Sequence, residues 1–424
     1  MTWRPTPLVA TLLTVVAWAT CLAVLTARAE LLFVALPLVA VLVTLNRRAT
    51  VPECSVSLDV SADRVFEGET VTVTMSVQAT SAVPLLVVRG PLPADTDLVS
   101  GRHCAAAAIG RGEATTWRYE VRCAARGAHD FGTVIVQARD RWGQRAWERR
   151  HVAPRPVHVY PRIAPLRSLP RPAHTQTSIG DYVSPALGEG IEPGDIREFA
   201  PGDRIRQVNW RASLRLGSLH VTQRRRERNA DVVLMIDTLA AVGPRNDTTL
   251  DLGVRAAASL ATAYLARKDR VGLINYGGTI DWVKPGSGRL QYERVADTLL
   301  KATVVFTYVT KDLGFVPPRV LPSHAIVIAV TPLLDPRFAK AALDLAARGF
   351  DVVVLAVSPV AVTRAMLTTS ALNALACRLW TLERRAALDT FRRHGLTVCE
   401  WDPAEPLERA LAGVERRGMR MVAG

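Results

Sequence analysis

Val232-Val233-Leu234-Met235-Ile236-Asp237 is the stretch on which the fold turns. A continuous apolar run closed by an aspartate reads as a central parallel strand, buried on both faces. Downstream, Leu250 to Lys268 has helical periodicity, with Leu250, Val254, Ala257, Leu260, Ala261, Tyr264 and Leu265 on one face. Thr248 and Asp251 are spaced to cap its start. A second strand, Arg270 to Tyr276, a helix over Gln291 to Leu300, and a third strand, Ala325 to Val330, follow in turn. A helix over Arg337 to Arg348 then precedes the strand Asp351 to Val357. This alternation predicts an α/β doubly wound parallel sheet over residues 231–424. Ligands of such sheets sit beyond the carboxyl ends of the strands, where Asp237, Thr238 and Asp335 are expected.

Residues 161–230 read as a linker followed by an arginine-rich signature. Pro154 to Pro172 is rich in Pro and Arg and predicts an extended connector. The signature runs Pro201-Gly202-Asp203-Arg204-Ile205-Arg206-Gln207-Val208-Asn209-Trp210-Arg211-Ala212-Ser213, with Arg215, Arg224, Arg225, Arg226 and Arg228 close behind. Arg beside an aromatic suits single-stranded nucleic acid. Arg is also the residue of forked carboxylate pairing, at an interface or within the fold. An internal network, with Glu198 and Asp203 pairing to arginines and Trp210 in the core, ranks first. A protein interface ranks second and nucleic acid last.

Residues 51–160 alternate with period two. Ser55 to Val60, Thr70 to Val77, Thr116 to Val121 and Thr133 to Val136 are the clearest runs, and Glu67-Gly68-Glu69 supplies a turn. Several short strands between Gly and Pro signals predict an Ig-like β-sandwich, which acts as a spacer module.

Residues 1–50 predict a transmembrane hairpin, with apolar runs at 8–25 and 31–45, the second carrying Pro37. Arg4 precedes the first run, and Arg47 and Arg48 follow the second, so both ends are expected in the cytoplasm, with the soluble bulk. The rival reading is a cleaved secretory signal, since Ala27-Arg28-Ala29 has the A-x-A pattern. That reading would make the protein a secreted or envelope-side binding protein.

The net charge of +14 does not single out nucleic acid, because only five basic residues are Lys and the arginines spread over the whole chain. Six cysteines without a C-x-x-C pair argue against a zinc site or a disulfide framework; Cys104 and Cys123 could meet across neighbouring strands, with buried thiols the favoured reading. No Lys is followed by Ser or Thr, which removes the Walker A motif. H-E-x-x-H and G-x-S-x-G are absent, and His129 reads as structural. No enzymatic activity, no cofactor and no small-molecule substrate are expected. A metal-assisted hydrolase using Asp237 and Asp335 is the remaining catalytic alternative.

Three patterns together resemble the domain of unknown function 58 family: Arg126-Gly127-Ala128-His129-Asp130-Phe131-Gly132, then Arg139-Asp140-Arg141-Trp142-Gly143, then Pro201 to Ser213. The resemblance implies a membrane-anchored protein whose C-terminal domain is von Willebrand A-like. It also implies a MoxR-type AAA+ ATPase as partner, in assembly or maturation of client proteins. Gly202, Asp203, Arg206, Asn209, Trp210, Arg211 and Ser213 are then the signature or interface residues. Von Willebrand A domains often hold a cation through D-x-S-x-S. Here the match is Asp237-Thr238-Leu239-Ala240-Ala241, so both serine hydroxyls are missing and Mg²⁺ binding is possible but not expected.

Overall fold

The computed structural model describes residues 4–28, 30–43, 53–140, 142–170, 176–188, 192–200, 205, 208–307, 309, 313–323 and 325–412. It is a mixed α/β chain that divides into two compact units, Met1–Tyr160 and Pro161–Gly424.

The first unit opens with the short strand β1 (Arg4–Pro5) and the helices α1 (Pro7–Thr26) and α2 (Glu30–Val43). Strands follow in the order β2 (Cys54–Val60), β3 (Arg64–Phe66), β4 (Thr70–Ala79), β5 (Val83–Arg89), β6 (Thr96–Gly101) and β7 (Cys104–Ile109). They continue through β8 (Ala114–Cys123), β9 (Gly127–Asp130), β10 (Thr133–Arg139), β11 (Arg145–Val152) and β12 (Pro156–Tyr160). A four-stranded sheet, β2-β4-β8-β6, and a five-stranded sheet, β1-β11-β10-β5-β7, bury their apolar sides in one core; β3-β12-β9 forms a third sheet. The period-two pattern is the cause. Along β4, Val71, Val73, Met75 and Val77 are fully buried while the threonines between them are not. Cys104 and Cys123 lie in different sheets, and all the cysteines are free thiols.

Among the described helices, α1 alone is long and apolar enough to cross a membrane. Helix α2 has 14 residues, which is ~21 Å at 1.5 Å per residue. Both helices expose large apolar side chains, including Trp18, Val24 and Leu25 on α1 and Phe33 and Leu36 on α2. Their outer ends meet the β sheet at one turn. The Thr6 amide donates to the Gln144 carbonyl (2.8 Å), and its hydroxyl to the Gly143 carbonyl (2.6 Å). The fully buried Gln144 side chain donates to the Val41 carbonyl (2.6 Å). The start of α1 and the end of α2 therefore sit on the same turn.

In the second unit, β13 (Gln176–Gly188) and β14 (Glu192–Glu198) precede the short helix α3 (Trp210–Leu216). Strand β15 (His220–Asn229) then completes an antiparallel sheet of order β13-β15-β14. The segment 161–230, read as a linker followed by the arginine-rich signature, thus contains a sheet of its own. Its first part is also docked rather than free: Leu169 is fully buried in the core, and the Ala164 amide donates to the Ser259 hydroxyl (2.9 Å).

The main sheet contains β16 (Asp231–Thr238), β17 (Arg270–Gly277), β18 (Ile280–Gly286), β19 (Ile326–Thr331), β20 (Asp351–Val357) and β21 (Thr397–Trp401), in the order β18-β17-β16-β19-β20-β21. All neighbours are parallel except β18 on β17. Helices α4 (Thr249–Ala266) and α5 (Arg289–Leu300) cover the face that buries Val232, Leu234 and Ile236. Helices α6 (Pro336–Ala347) and α8 (Ala371–Arg393) cover the face that buries Val233 and Met235, and α7 (Pro359–Met366) lies between them in sequence. Every residue of β16 is buried, as the apolar run requires. The Thr248–Asp251 capping box forms and starts α4. The chain leaves β16 for β17 on one side and returns to β19 on the other, which puts the topological switch point between β16 and β19.

Candidate functional site

The carboxyl ends of β16 and β19 bring Asp237 and Thr331 together at the switch point. The Thr331 hydroxyl donates to Asp237 Oδ2 (2.6 Å), and the Leu239 amide donates to Oδ1 (3.0 Å). Asp237 is 2% exposed, and burial pushes its carboxyl up to about 7, against the pull of both hydrogen bonds. Asp335 caps α6 and is gripped by Arg337, whose Nη2 lies 2.6 Å from Oδ2 and whose Nε lies 2.9 Å from Oδ1. The guanidinium holds the Asp335 carboxyl below its ordinary range, mainly through these hydrogen bonds. Arg337 Nη1 reaches on to the Thr307 carbonyl (2.7 Å).

This geometry does not suit a divalent cation. Both Asp237 oxygens already accept a hydrogen bond, and Asp335 faces a guanidinium. Leu239 and Ala241 supply no oxygen where hydroxyls would be needed. Thr238 is buried against Gly277, where an added Cβ would come within 2.1 Å of its hydroxyl. Among the described residues no three His, Cys, Asp or Glu side chains converge. The sequence pointed to Asp237, Thr238 and Asp335; Thr331 and Arg337, the residues that engage the two carboxylates, lacked a motif to mark them. A groove of about 540 Å³ near the loop after β16 is lined by Asp247, Arg364 and Asp402, and Asp247 is paired with Arg255.

The signature splits into two roles. Gly202, Asp203 and Arg206 lie outside the described residues. Asn209 and Ser213 anchor α3: the Asn209 side chain accepts from the Ala212 amide (3.1 Å) and so caps the helix. The Ser213 hydroxyl donates to the Asn209 carbonyl (2.9 Å) and accepts from the His220 amide (2.8 Å), fastening the helix to β15. The four-residue spacing of Asn209 and Ser213 follows from one helical turn. Trp210, expected in the core, is instead 61% exposed, because the buried side of so short a helix is taken by Ser213. Arg211 is exposed too, and Leu214 and Leu216 are 85% and 62% exposed beside it.

The β-domain pattern is structural. Asp130 Oδ1 accepts from the Gly132 amide (2.9 Å) and the Arg155 amide (3.0 Å), and Phe131 is fully buried. A Cβ on Gly132 would lie 2.2 Å from the Ala153 carbonyl oxygen, so glycine is required there. His129 Nε2 lies 2.9 Å from the Ala125 carbonyl. Asp140 Oδ1 accepts from the Arg145 amide (3.2 Å) and shapes the turn that receives β1.

Residues 195–361 match the family described as "Protein of unknown function DUF58". Uncharacterized proteins of Mycobacterium tuberculosis (strain ATCC 25618 / H37Rv) and Mycobacterium bovis are 30% identical over 123 residues, 28% of this chain. The matched segment spans 39% of the length of these relatives. Among solved structures, native alpha-2-macroglobulin from Escherichia coli (domain MG7 to the C-terminus) is 20% identical, covering 27% of this chain and 25% of that one, with a TM-score of 0.21. The CARDB domain of the PF1109 protein from Pyrococcus furiosus is 13% identical, covering 27% and 97%, with a TM-score of 0.18. Likeness of that degree carries no inference about this chain. The likeness to the DUF58 family is therefore one of residues 195–361, within a chain of 424.

Proposed function

We propose that the protein is a membrane-anchored, non-enzymatic adaptor that presents its second unit to other proteins. The observation that carries this reading is the outward face of α3, where Trp210, Leu214 and Leu216 stand exposed beside Arg211 and Arg215. Trp and Arg are the side chains that most often dominate protein interfaces. At the switch point, where a catalytic group would be expected, the carboxylates are engaged internally by Thr331 and Arg337. The partner is a MoxR-type AAA+ ATPase, on the strength of the family resemblance, with the maturation of client proteins as the process.

The anchor is the α1–α2 hairpin. Support comes from the exposed apolar faces of both helices and from the turn at Gln144, which holds the start of one and the end of the other. Both flanks then lie on the cytoplasmic side, where Arg4 and Arg47 favour them. The two-layered β unit is an Ig-like spacer. The second unit is von Willebrand A-like, which its parallel sheet with one antiparallel edge and helices on both faces supports. A photoreactive phenylalanine analogue placed at position 214 in living cells tests the reading. The expected product is a discrete cross-link to a cytoplasmic ATPase; cross-links confined to envelope-side proteins would overturn it.

A further inference from the structure

Helix α8 has two opposite faces. Cys377, Arg384 and Phe391 recur every seven residues and are buried against the body of the unit, together with Leu388. On the other side Leu372, Leu375, Leu379 and Leu382 are 75%, 55%, 54% and 59% exposed. Their 3-4-3 spacing is that of the a and d positions of a heptad. Cys377, Arg384 and Phe391 then fall at f, the position farthest from an a/d seam. The helix is thus held from behind and offers its seam to the outside. Four leucines in a continuous stripe are not the scattered exposed apolar residues of an ordinary surface.

The flanking charges say which partner fits. Arg378 falls at g and Glu383 at e of the next turn, and both are exposed. In a parallel, in-register pair of identical helices, each g residue faces the e residue five positions further on in its partner. Arg378 of each copy then meets Glu383 of the other, twice by symmetry. In an antiparallel pair that keeps all four leucines in the seam, the g positions face one another and would oppose Arg378 to Arg378 of the other copy. With the bodies attached at f, two copies lie outside the seam on opposite sides. From this geometry we propose that α8 pairs in parallel with α8 of a second copy of this chain, through Leu372, Leu375, Leu379 and Leu382. The contact is smaller than the ~800 Å² per partner of a standard stable interface, so the association is reversible.

The full chain, purified in detergent, tests this by mass measurement over a concentration series. The wild type should pass from one copy to two as concentration rises, and Leu375→Glu with Leu379→Glu should hold it at one copy with an unchanged melting curve. Arg378→Glu and Glu383→Arg should each raise the dissociation constant several-fold, and the two together should restore it. These surface reversals keep the test open if the leucine variant fails to fold. Leu379→Cys, in a Cys21→Ser background, should give an oxidised covalent dimer, because like a positions meet only in the parallel arrangement. A wild type that stays single at every concentration overturns the proposal. So does a dimer indifferent to the leucine changes, or one in which neither the double charge reversal nor the cross-link behaves as stated.

Discussion

Asp237→Asn should make the stability of the second unit less dependent on pH. In the folded chain burial raises the Asp237 carboxyl from 3.8 to about 7. Below about pH 4 the side chain is neutral in both folded and unfolded chains and contributes no pH-dependent difference. Between about pH 4 and pH 7 the unfolded chain ionises while the folded one resists, so this residue costs stability progressively, and the full cost is present above pH 7. Each unit of displacement is worth ~1.4 kcal/mol, so the cost reaches roughly 4 kcal/mol at most. Asparagine keeps an acceptor for the Leu239 amide and removes the ionisation, while its disturbed bond to Thr331 adds a cost that does not vary with pH. Because the chain has two units, the assay is hydrogen exchange of β16 peptides, followed by mass spectrometry at pH 5 and pH 8 and corrected for intrinsic rates. The free energy of opening in Asp237→Asn should gain on the wild type by ~2–3 kcal/mol between those two values. An equal change in both proteins would refute the reasoning.

Gly132→Ala should lower the stability of the first unit by ~1–3 kcal/mol in chemical unfolding, since the new methyl meets the Ala153 carbonyl and the Arg155 amide. Arg384→Ala removes bonds to the Pro332 and Val357 carbonyls (2.6 and 2.9 Å) and to Glu400 (3.2 Å), at a site 6% exposed. The expected loss is ~3–5 kcal/mol, and Arg384→Lys should recover little of it, because a lysine cannot reproduce the fork. Asn209→Ala should cost ~1 kcal/mol by removing the cap of α3, whereas Trp210→Ala should leave the melting temperature nearly unchanged while weakening partner capture.

The central strand was legible because burial on both faces leaves only one kind of sequence, and β16 is buried from Asp231 to Thr238. The helix starts were legible where a side chain does the capping, as at Thr248. Composition misled where it was strongest. Pro154 to Pro172 looks like a free connector, yet Leu169 is a core residue and the Tyr264 hydroxyl donates to the Pro170 carbonyl. The arginine run of β15 carries no apolar alternation in its sequence that would mark a strand. Trp210 suggested a core position because tryptophan is usually well buried, but a helix of seven residues has room for little beyond its own fastening. At the candidate site the aspartates were visible as strand ends. Thr331 and Arg337 were not, because what ties them to Asp237 and Asp335 is tertiary contact and helix capping rather than a motif. The leucine spacing of α8 is plain in the sequence, but only the structure shows that this side faces outward.

Affinity capture of the tagged full chain from native membranes, in parallel with the Trp210→Ala, Leu214→Ala double variant, tests the adaptor reading most directly. A MoxR-type ATPase should co-purify with the wild type and be lost from the variant while the variant stays folded and membrane-bound. Equal recovery with both proteins, or recovery of envelope-side proteins alone, would contradict it.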